Sequence, residues 1–249
     1  MSRSDPLEPY LASVRQQGIF LRNPLPPGPG ICRVCFTGIR PDYSRCYQCN
    51  QHRQAGANAA DLVVPVSYAI QNEQHAFNLV MYKSSRPTAS AKAALTALIL
   101  VFLRKHRICL STAIAPAQFT HYAVVPSTRA RPGTHPLQAL IDGSMTLPPI
   151  NARANDCYPA DDRDFHPDRF VVEDLPPEAN ILLLDDTWTT GARVQSLSHA
   201  LKDAGANKVA AVVLGRWVNP SWPDSQALIS HLRRSTTFDL SRCVVGRPA

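Results

Sequence analysis

The sequence predicts an α/β protein: a parallel sheet flanked by helices, with a small four-cysteine unit ahead of it. Three observations carry this reading. Ile181-Leu182-Leu183-Leu184 and Val209-Ala210-Ala211-Val212-Val213-Leu214 are continuous apolar runs of the kind found in strands buried on both faces. A segment of helical length separates them, so strand, helix and strand follow at the spacing of a βαβ unit. Cys32-x-x-Cys35 and Cys46-x-x-Cys49 stand as two pairs only ten residues apart.

In chain order, residues 1–30 read as an N-terminal extension. Its Leu25-Pro26-Pro27-Gly28-Pro29-Gly30 passage suits a linker and no helix or central strand. The cysteine unit occupies 31–53, and the polar, small residues 51–60 mark a boundary. The main domain is expected over 61–217. Leu62-Val63-Val64-Pro65-Val66-Ser67-Tyr68 and Phe77-Asn78-Leu79-Val80-Met81-Tyr82 read as strands, and 89–105, rich in Ala and Leu, as a helix. A strand at Tyr122-Ala123-Val124-Val125 and a short helix over 136–141 follow. The buried strand at 181–184 is expected to end at Asp185-Asp186, turn through Thr187 to Gly191, and enter a helix ending near Gly205. Residues 218–249 remain as a C-terminal extension, with Trp217 and Trp222 around Pro220 read as packing. No internal repeat is present.

Composition limits the function classes. Of 249 residues, 45% are apolar and 18% charged, which argues against wholesale disorder. The longest apolar run, 93–103 between Lys92 and Arg104, is about half of what a membrane span needs. The first thirty residues carry Asp5, Glu8, Arg15 and six prolines, without an apolar core of the signal-peptide type. Seven cysteines, four of them clustered, fit a reducing cytoplasm better than a disulfide framework. The net charge of +7 suits an anionic partner. Residues 156–186 hold ten acids and two arginines, a local charge of −8 that leaves +15 elsewhere. Such a block suits a solvated loop, or an acidic flap over a site with basic walls.

Two Cys-x-x-Cys knuckles can present four thiolates to one Zn2+ ion, so Cys32, Cys35, Cys46 and Cys49 are the expected metal ligands. Four thiolates leave no position for a catalytic water, hence a structural role. The unit is too small to bury a core of its own, and metal binding would supply its folding energy. Arg33, Arg40, Arg45 and Arg53 surround Phe36, Tyr43 and Tyr47, a pattern that suits either contact with a nucleic acid or ordinary surface and packing.

Asp185-Asp186-Thr187-Trp188-Thr189-Thr190-Gly191 is the most informative stretch. A buried strand there delivers two carboxylates to the carboxyl edge of a parallel sheet, where open α/β proteins bind ligands. Such carboxylates can accept from vicinal ribose hydroxyls or hold Mg2+. The Thr-Thr-Gly turn leads to a helix N-terminus that favours phosphate. Diol and phosphate recognition side by side describe a ribose 5-phosphate site.

Four apolar residues, two acids and Thr-Thr-Gly resemble the signature of the type I phosphoribosyltransferases. Together with the four-cysteine ribbon they resemble the ComF-like subgroup, named for a protein of bacterial DNA uptake. The resemblance runs from about Cys32 to Leu214. It implies a sheet of about five strands with a smaller hood, and 5-phospho-α-D-ribose 1-diphosphate with Mg2+ as ligand. By position, Asp185 and Asp186 would bind the ribose hydroxyls as the catalytic pair. Thr187, Trp188, Thr189, Thr190, Gly191 and Ala192 would form the 5-phosphate loop. Arg193 stands where the family commonly has a hydroxyl residue and can serve as a charged donor. Ser127, Thr128, Arg129 and Arg131 occupy the place of the diphosphate loop. In relatives this loop continues Arg-Gly-Phe-Asn-Gln; here it reads Arg131-Pro132-Gly133-Thr134-His135-Pro136, and His135 is either a turn residue or a contact. Tyr82-Lys83, at the end of an early strand, matches a similar pair in relatives, and Lys83 and Arg86 would reach the diphosphate. The acidic segment 156–174 falls where type I enzymes have a flap.

The implied reaction displaces diphosphate from C1 of the ribose with a nitrogen nucleophile of unspecified identity. A non-catalytic donor sensor and a nucleic-acid factor like ComF stay open beside it. A homo-oligomer is compatible with the sequence, and a membrane partner is not expected.

Overall fold

The computed structural model describes residues 7–114, 118–129, 133–234 and 237–245. In chain order the elements are α1 (Glu8–Gln17), α2 (Tyr47–Gln54), β1 (Leu62–Ile70), α3 (Gln74–Met81), α4 (Ala89–Ala113), β2 (His121–Val124) and α5 (Pro136–Ile141). β3 (Ala152–Ala154), β4 (Phe170–Val172), β5 (Asn180–Trp188), α6 (Ala192–Asp203), β6 (Lys208–Val218) and α7 (Pro223–Arg234) complete the chain. The protein is α/β as expected, with one parallel sheet of four strands in the order β1-β6-β5-β2. β3 and β4 form a separate antiparallel pair.

The apolar strands read from the sequence are buried on both faces, and alternation sorts their side chains. Val64, Val66, Leu182, Leu184, Val212 and Leu214 share one core with Leu95, Leu98 and Phe102 of α4. Val63, Ile181, Leu183, Val209, Ala211 and Val213 share another with Val194, Leu197 and Leu201 of α6. The chain crosses from β1 to β2 in one direction and returns through β5 to β6 in the other. Crossovers of one hand therefore put α4 and α6 on opposite faces.

Residues 77–82 are helical, not a strand. Phe77 and Val80 face solvent, while His75, Ala76, Asn78 and Leu79 are buried, a period of three and four. Tyr82 and Lys83 thus leave the end of a helix. The strand before the acidic pair also runs further than expected: β5 continues through Thr187 to Trp188, and the turn is confined to 189–191.

Both extensions carry structure. α1 packs on α4, where Gln17 Nε2 donates to Ala94 O at 3.2 Å, and Val14 and Leu21 enter the first core. α7 lays Leu228, Ile229 and Leu232 over Tyr68, Ile70 and Val218. The cysteine unit is clamped to this corner. Tyr68 Oη donates to Phe36 O at 2.7 Å, and a Cβ on Gly38 would stand 2.3 Å from Asp224 O. Among the described residues, no helix is long and apolar enough to cross a membrane.

Candidate functional site

The carboxyl ends of β2 and β5 border a cleft of about 620 Å³. Lys83, Ser127, Arg129, Asp185, Asp186, Thr187, Thr189, Thr190, Gly191, Ala192 and Arg193 all line it. His135, just ahead of α5, lines it as well. Arg131 lies outside the described residues.

Adjacent positions on a strand point to opposite faces, and this divides the two aspartates. Asp186 continues the row of Leu182 and Leu184 toward α3. It is 7% exposed, accepts from Tyr82 Oη, and takes Lys83 Nζ at 2.6 Å. Asp185 continues the row of Ile181 and Leu183 toward α6 and is only partly buried, its Oδ1 accepting from the Asp186 amide at 2.8 Å. Burial acts to raise the Asp186 pKa, but the Lys83 charge and the hydrogen bonds from Lys83 and Tyr82 outweigh it and hold the carboxyl below the ordinary range. Burial and the neighbouring Asp186 charge push Asp185 up to about 7, against the opposing charges of Lys83 and Arg193.

A prediction follows from this asymmetry. In a carboxyl 13C NMR titration one aspartate should titrate near pH 7, and Asp186→Asn should bring that pKa down by removing the adjacent charge. A wild-type Asp185 titrating near 4 would overturn the assignment. For stability the sign is fixed by linkage. The raised Asp185 stabilises the folded state fully below about pH 4, its unfolded value, and that contribution is lost as pH rises through about 7. Asp186 works the other way, its contribution being lost as pH falls.

Next to Asp185 the chain turns into α6. Gly191 is the N-cap at φ +84° and offers the helix no side chain, while the first amide of α6, Ala192 N, donates to Thr190 Oγ1 at 3.3 Å. A Cβ at Gly191 would lie 2.0 Å from the Trp188 ring, so only glycine fits this bend. Trp188 itself is 1% exposed and packs in the core beneath the turn. Its side chain does not border the cleft, a correction to the expected role, and burial of the last β5 residue under the turn is the reason.

Arg129, Arg163 and Arg193 line the cleft together with Asp161, Asp162, Asp185 and Asp186. Burial lowers the Arg193 pKa, Asp185 opposes it, and the like charges of Arg169, Arg163 and Arg129 lower it further. Four guanidinium groups thus act on one another here. The acidic segment covers this corner. Thr128 Oγ1 and Arg193 Nη2 donate to Ala160 O at 2.8 and 2.7 Å, and Thr190 Oγ1 donates to Arg163 O at 3.0 Å. Thr128 is spent on that contact and does not line the cleft. Within the segment Asp162 binds Arg169 at 2.9 Å and His166 at 2.7 Å. The local acidity is therefore partly neutralised from within.

Other lining residues come from outside the expected loops. Gln48 reaches the cleft from α2, and Trp217 and Trp222, read as packing, border it from the end of β6 and beyond. Asp161, Asp162 and Arg163 enter from the acidic segment.

The four cysteines converge as expected, and all are free thiols. Their sulfurs all lie within 4.8 Å of one another, with Cys35 and Cys46 at 3.6 Å, close to the about 3.8 Å edge of a tetrahedral thiolate site. Donors surround them: Cys46 N to Cys32 Sγ at 3.3 Å, Cys49 N to Cys46 Sγ at 3.5 Å, and Arg216 Nη2 to Cys35 Sγ at 3.5 Å. The group can hold one metal ion. Arg216, 3% exposed on β6, also donates through Nε to Cys35 O at 3.0 Å and through Nη1 to Trp188 O at 3.1 Å. One buried guanidinium therefore ties the cysteine cluster to Trp188, the last residue of β5 before the 189–191 turn. On the outside of the unit Tyr43 and Tyr47 are exposed, with Arg40 over the Tyr43 ring, while Phe36 is buried.

Comparison of the chain with protein-family models, with curated proteins and with solved structures finds no match.

Proposed function

We propose that the cleft binds 5-phospho-α-D-ribose 1-diphosphate with Mg2+ and that the chain transfers the phosphoribosyl group to a nitrogen nucleophile, releasing diphosphate. The observation that supports this is a carboxylate pair at the sheet edge beside the glycine-started N-terminus of α6, in a cleft that Arg129, Arg163 and Arg193 also line. A diol acceptor and an anion cradle meet within one cleft.

In this reading Asp185 accepts from the ribose hydroxyls, with Asp186 fixed behind it by Tyr82 and Lys83. The first N–H groups of α6 and the Thr189 and Thr190 hydroxyls hold the 5-phosphate. Thr190 and Arg193 exchange the carbonyl oxygens of the 160–163 segment for phosphate oxygens, so the cover shifts on binding. Arg129, Ser127 and Lys83 face the diphosphate. When bound, Mg2+ supplies charge neutralisation for the leaving group, and a partly exposed carboxylate such as Asp185 is a hard oxygen donor that suits it. The C1–oxygen bond to diphosphate breaks with oxocarbenium character, the bonding pair leaves with diphosphate, and the acceptor nitrogen forms the new bond to C1. Protein groups contribute mainly position and electrostatic stabilisation. In the same reading the four-cysteine group holds Zn2+ as a closed, structural site.

The experiment is calorimetry with the donor and Mg2+. Asp185→Asn removes the charged acceptor of the ribose hydroxyls, at about 1.5–3 kcal/mol, so affinity should fall by about ten- to a hundredfold. Unchanged affinity defeats the site. Release of diphosphate with a pool of amines and bases, read by mass spectrometry, separates a transferase from a donor sensor.

A further inference from the structure

A second cluster of soft ligands lies apart from the cleft, roughly 25 Å along α4 from its first residue. His106 and Cys109 stand one turn apart on α4 and so share a face. Cys243, from the C-terminal segment, meets them there. One ring nitrogen of His106, Cys109 Sγ and Cys243 Sγ lie within 4.8 Å of one another, with the two sulfurs at 3.2 Å and His106 Nδ1 3.5 Å from Cys109 Sγ.

We propose that His106, Cys109 and Cys243 form a second metal site, taking a thiophilic ion, Zn2+ by preference, with its fourth position open to solvent.

Three features of the chemistry converge. The ring orientation is that of a metal ligand. His106 Nε2 sits 3.0 Å from Leu240 O, and a carbonyl can only accept, so the ring proton is on Nε2 and the Nδ1 lone pair faces the two sulfurs. A metal-bound histidine is commonly fixed by such an outer hydrogen bond. The donor set of one imidazole and two thiols matches open zinc sites, where three protein ligands leave room for a water. The sulfur separation is nearer the about 3.8 Å of two thiolates on one ion than the about 2.0 Å of a disulfide. A cleft of about 630 Å³ opens beside the cluster, lined by Lys105, Thr112 and Ser241 among others, and gives the fourth position access to water or a small anion.

The site also has a mechanical consequence. The C-terminal segment lies against the body through Phe238, Leu240, Val244 and Val245, and Asn23 exchanges two hydrogen bonds with Asp239 at 2.9 and 2.7 Å. A metal ion joining α4 to Cys243 would pin the end of that segment.

The test is zinc content per chain in full-length protein purified under reducing conditions. Cys243→Ser and His106→Gln should each hold one equivalent fewer than the wild type, while the wild-type Co2+-substituted protein shows thiolate-to-cobalt absorption that falls in Cys109→Ser. Equal metal loading of wild type and variants overturns the proposal. So does a Cys109–Cys243 disulfide found by non-reducing mass mapping of the same preparation. Should a variant fail to fold, alkylation of the wild type carries the test. Cys109 and Cys243 should resist iodoacetamide when zinc is present and react after a chelator is added. Equal alkylation with and without chelator overturns it.

Discussion

Replacing Arg216 by methionine should lower the melting temperature by about 8–16 °C and weaken metal retention by the four-cysteine group. The side chain is 3% exposed and donates to three main-chain carbonyls, those of Cys35, Trp188 and Trp217, as well as to the Cys35 sulfur. Methionine fills much of the space and donates nothing, so the carbonyls of Cys35, Trp188 and Trp217 lose their partner. Each orphaned acceptor costs about 1–3 kcal/mol, and breaking a buried charge pair costs about 3–5 in all. At about 2–4 °C per kcal/mol for a chain of this size, the stated shift follows from about 4 kcal/mol. Burial alone would lower the Arg216 pKa, yet the charge of the Cys35, Cys46 and Cys49 sulfurs outweighs it and raises it. The guanidinium is thus placed to offset the charge of the cluster, and its loss should speed release of a bound metal ion to a chelator. Arg216→Lys keeps the charge but not the fork, and should fall between. A methionine variant that melts with the wild type and holds its metal as long would refute the linkage.

Arg216 was legible in principle. An arginine inside the apolar run of β6 has to find acceptors somewhere, and the sequence offers the signal without the address. Much of the fold was legible for a simpler reason: the parts of strands buried on both faces are continuously apolar, as 181–184 of β5 and 209–214 of β6 are. Residues 77–82 misled by the same rule, because a continuous apolar run is also compatible with a helix, and only the exposure of Phe77 and Val80 separates the two. α7 carries its helical spacing openly in Ser225, Leu228, Ile229 and Leu232, yet lay beyond the last strand, where no partner for its face could be named. In the site, the local motif at 185–193 was readable because its donors and acceptors are contiguous. Gln48 and Trp217 were not, since they reach the cleft by tertiary folding alone, whereas 161–163 fall within the acidic segment expected to act as a flap. The same holds for Cys243, 134 residues from Cys109.

Gly191→Val should destabilise the protein by about 2–6 kcal/mol and, on the proposed function, abolish phosphate binding at the turn. Two independent penalties apply. The backbone is left-handed at φ +84°, which costs a branched residue about 1–3 kcal/mol. A Cβ would also lie 2.0 Å from the Trp188 ring, and overpacking of this kind costs a further about 1–3 kcal/mol. Neither obstacle yields easily: Trp188 is 1% exposed, and its own carbonyl is held by Arg216. The turn must therefore move, and with it the first amides of α6. The two penalties separate in a double-mutant cycle with Gly191→Ala and Trp188→Leu. Removing the indole relieves the contact but leaves the backbone term, so the alanine should cost at least about 1 kcal/mol less in the leucine background. Strict additivity would mean that the indole does not press on the turn. Inorganic phosphate, titrated against the wild type and Gly191→Ala, reads the functional half: the variant should lose affinity even where thermal melting shows it folded. An alanine variant with wild-type phosphate affinity would remove the α6 N-terminus from the site.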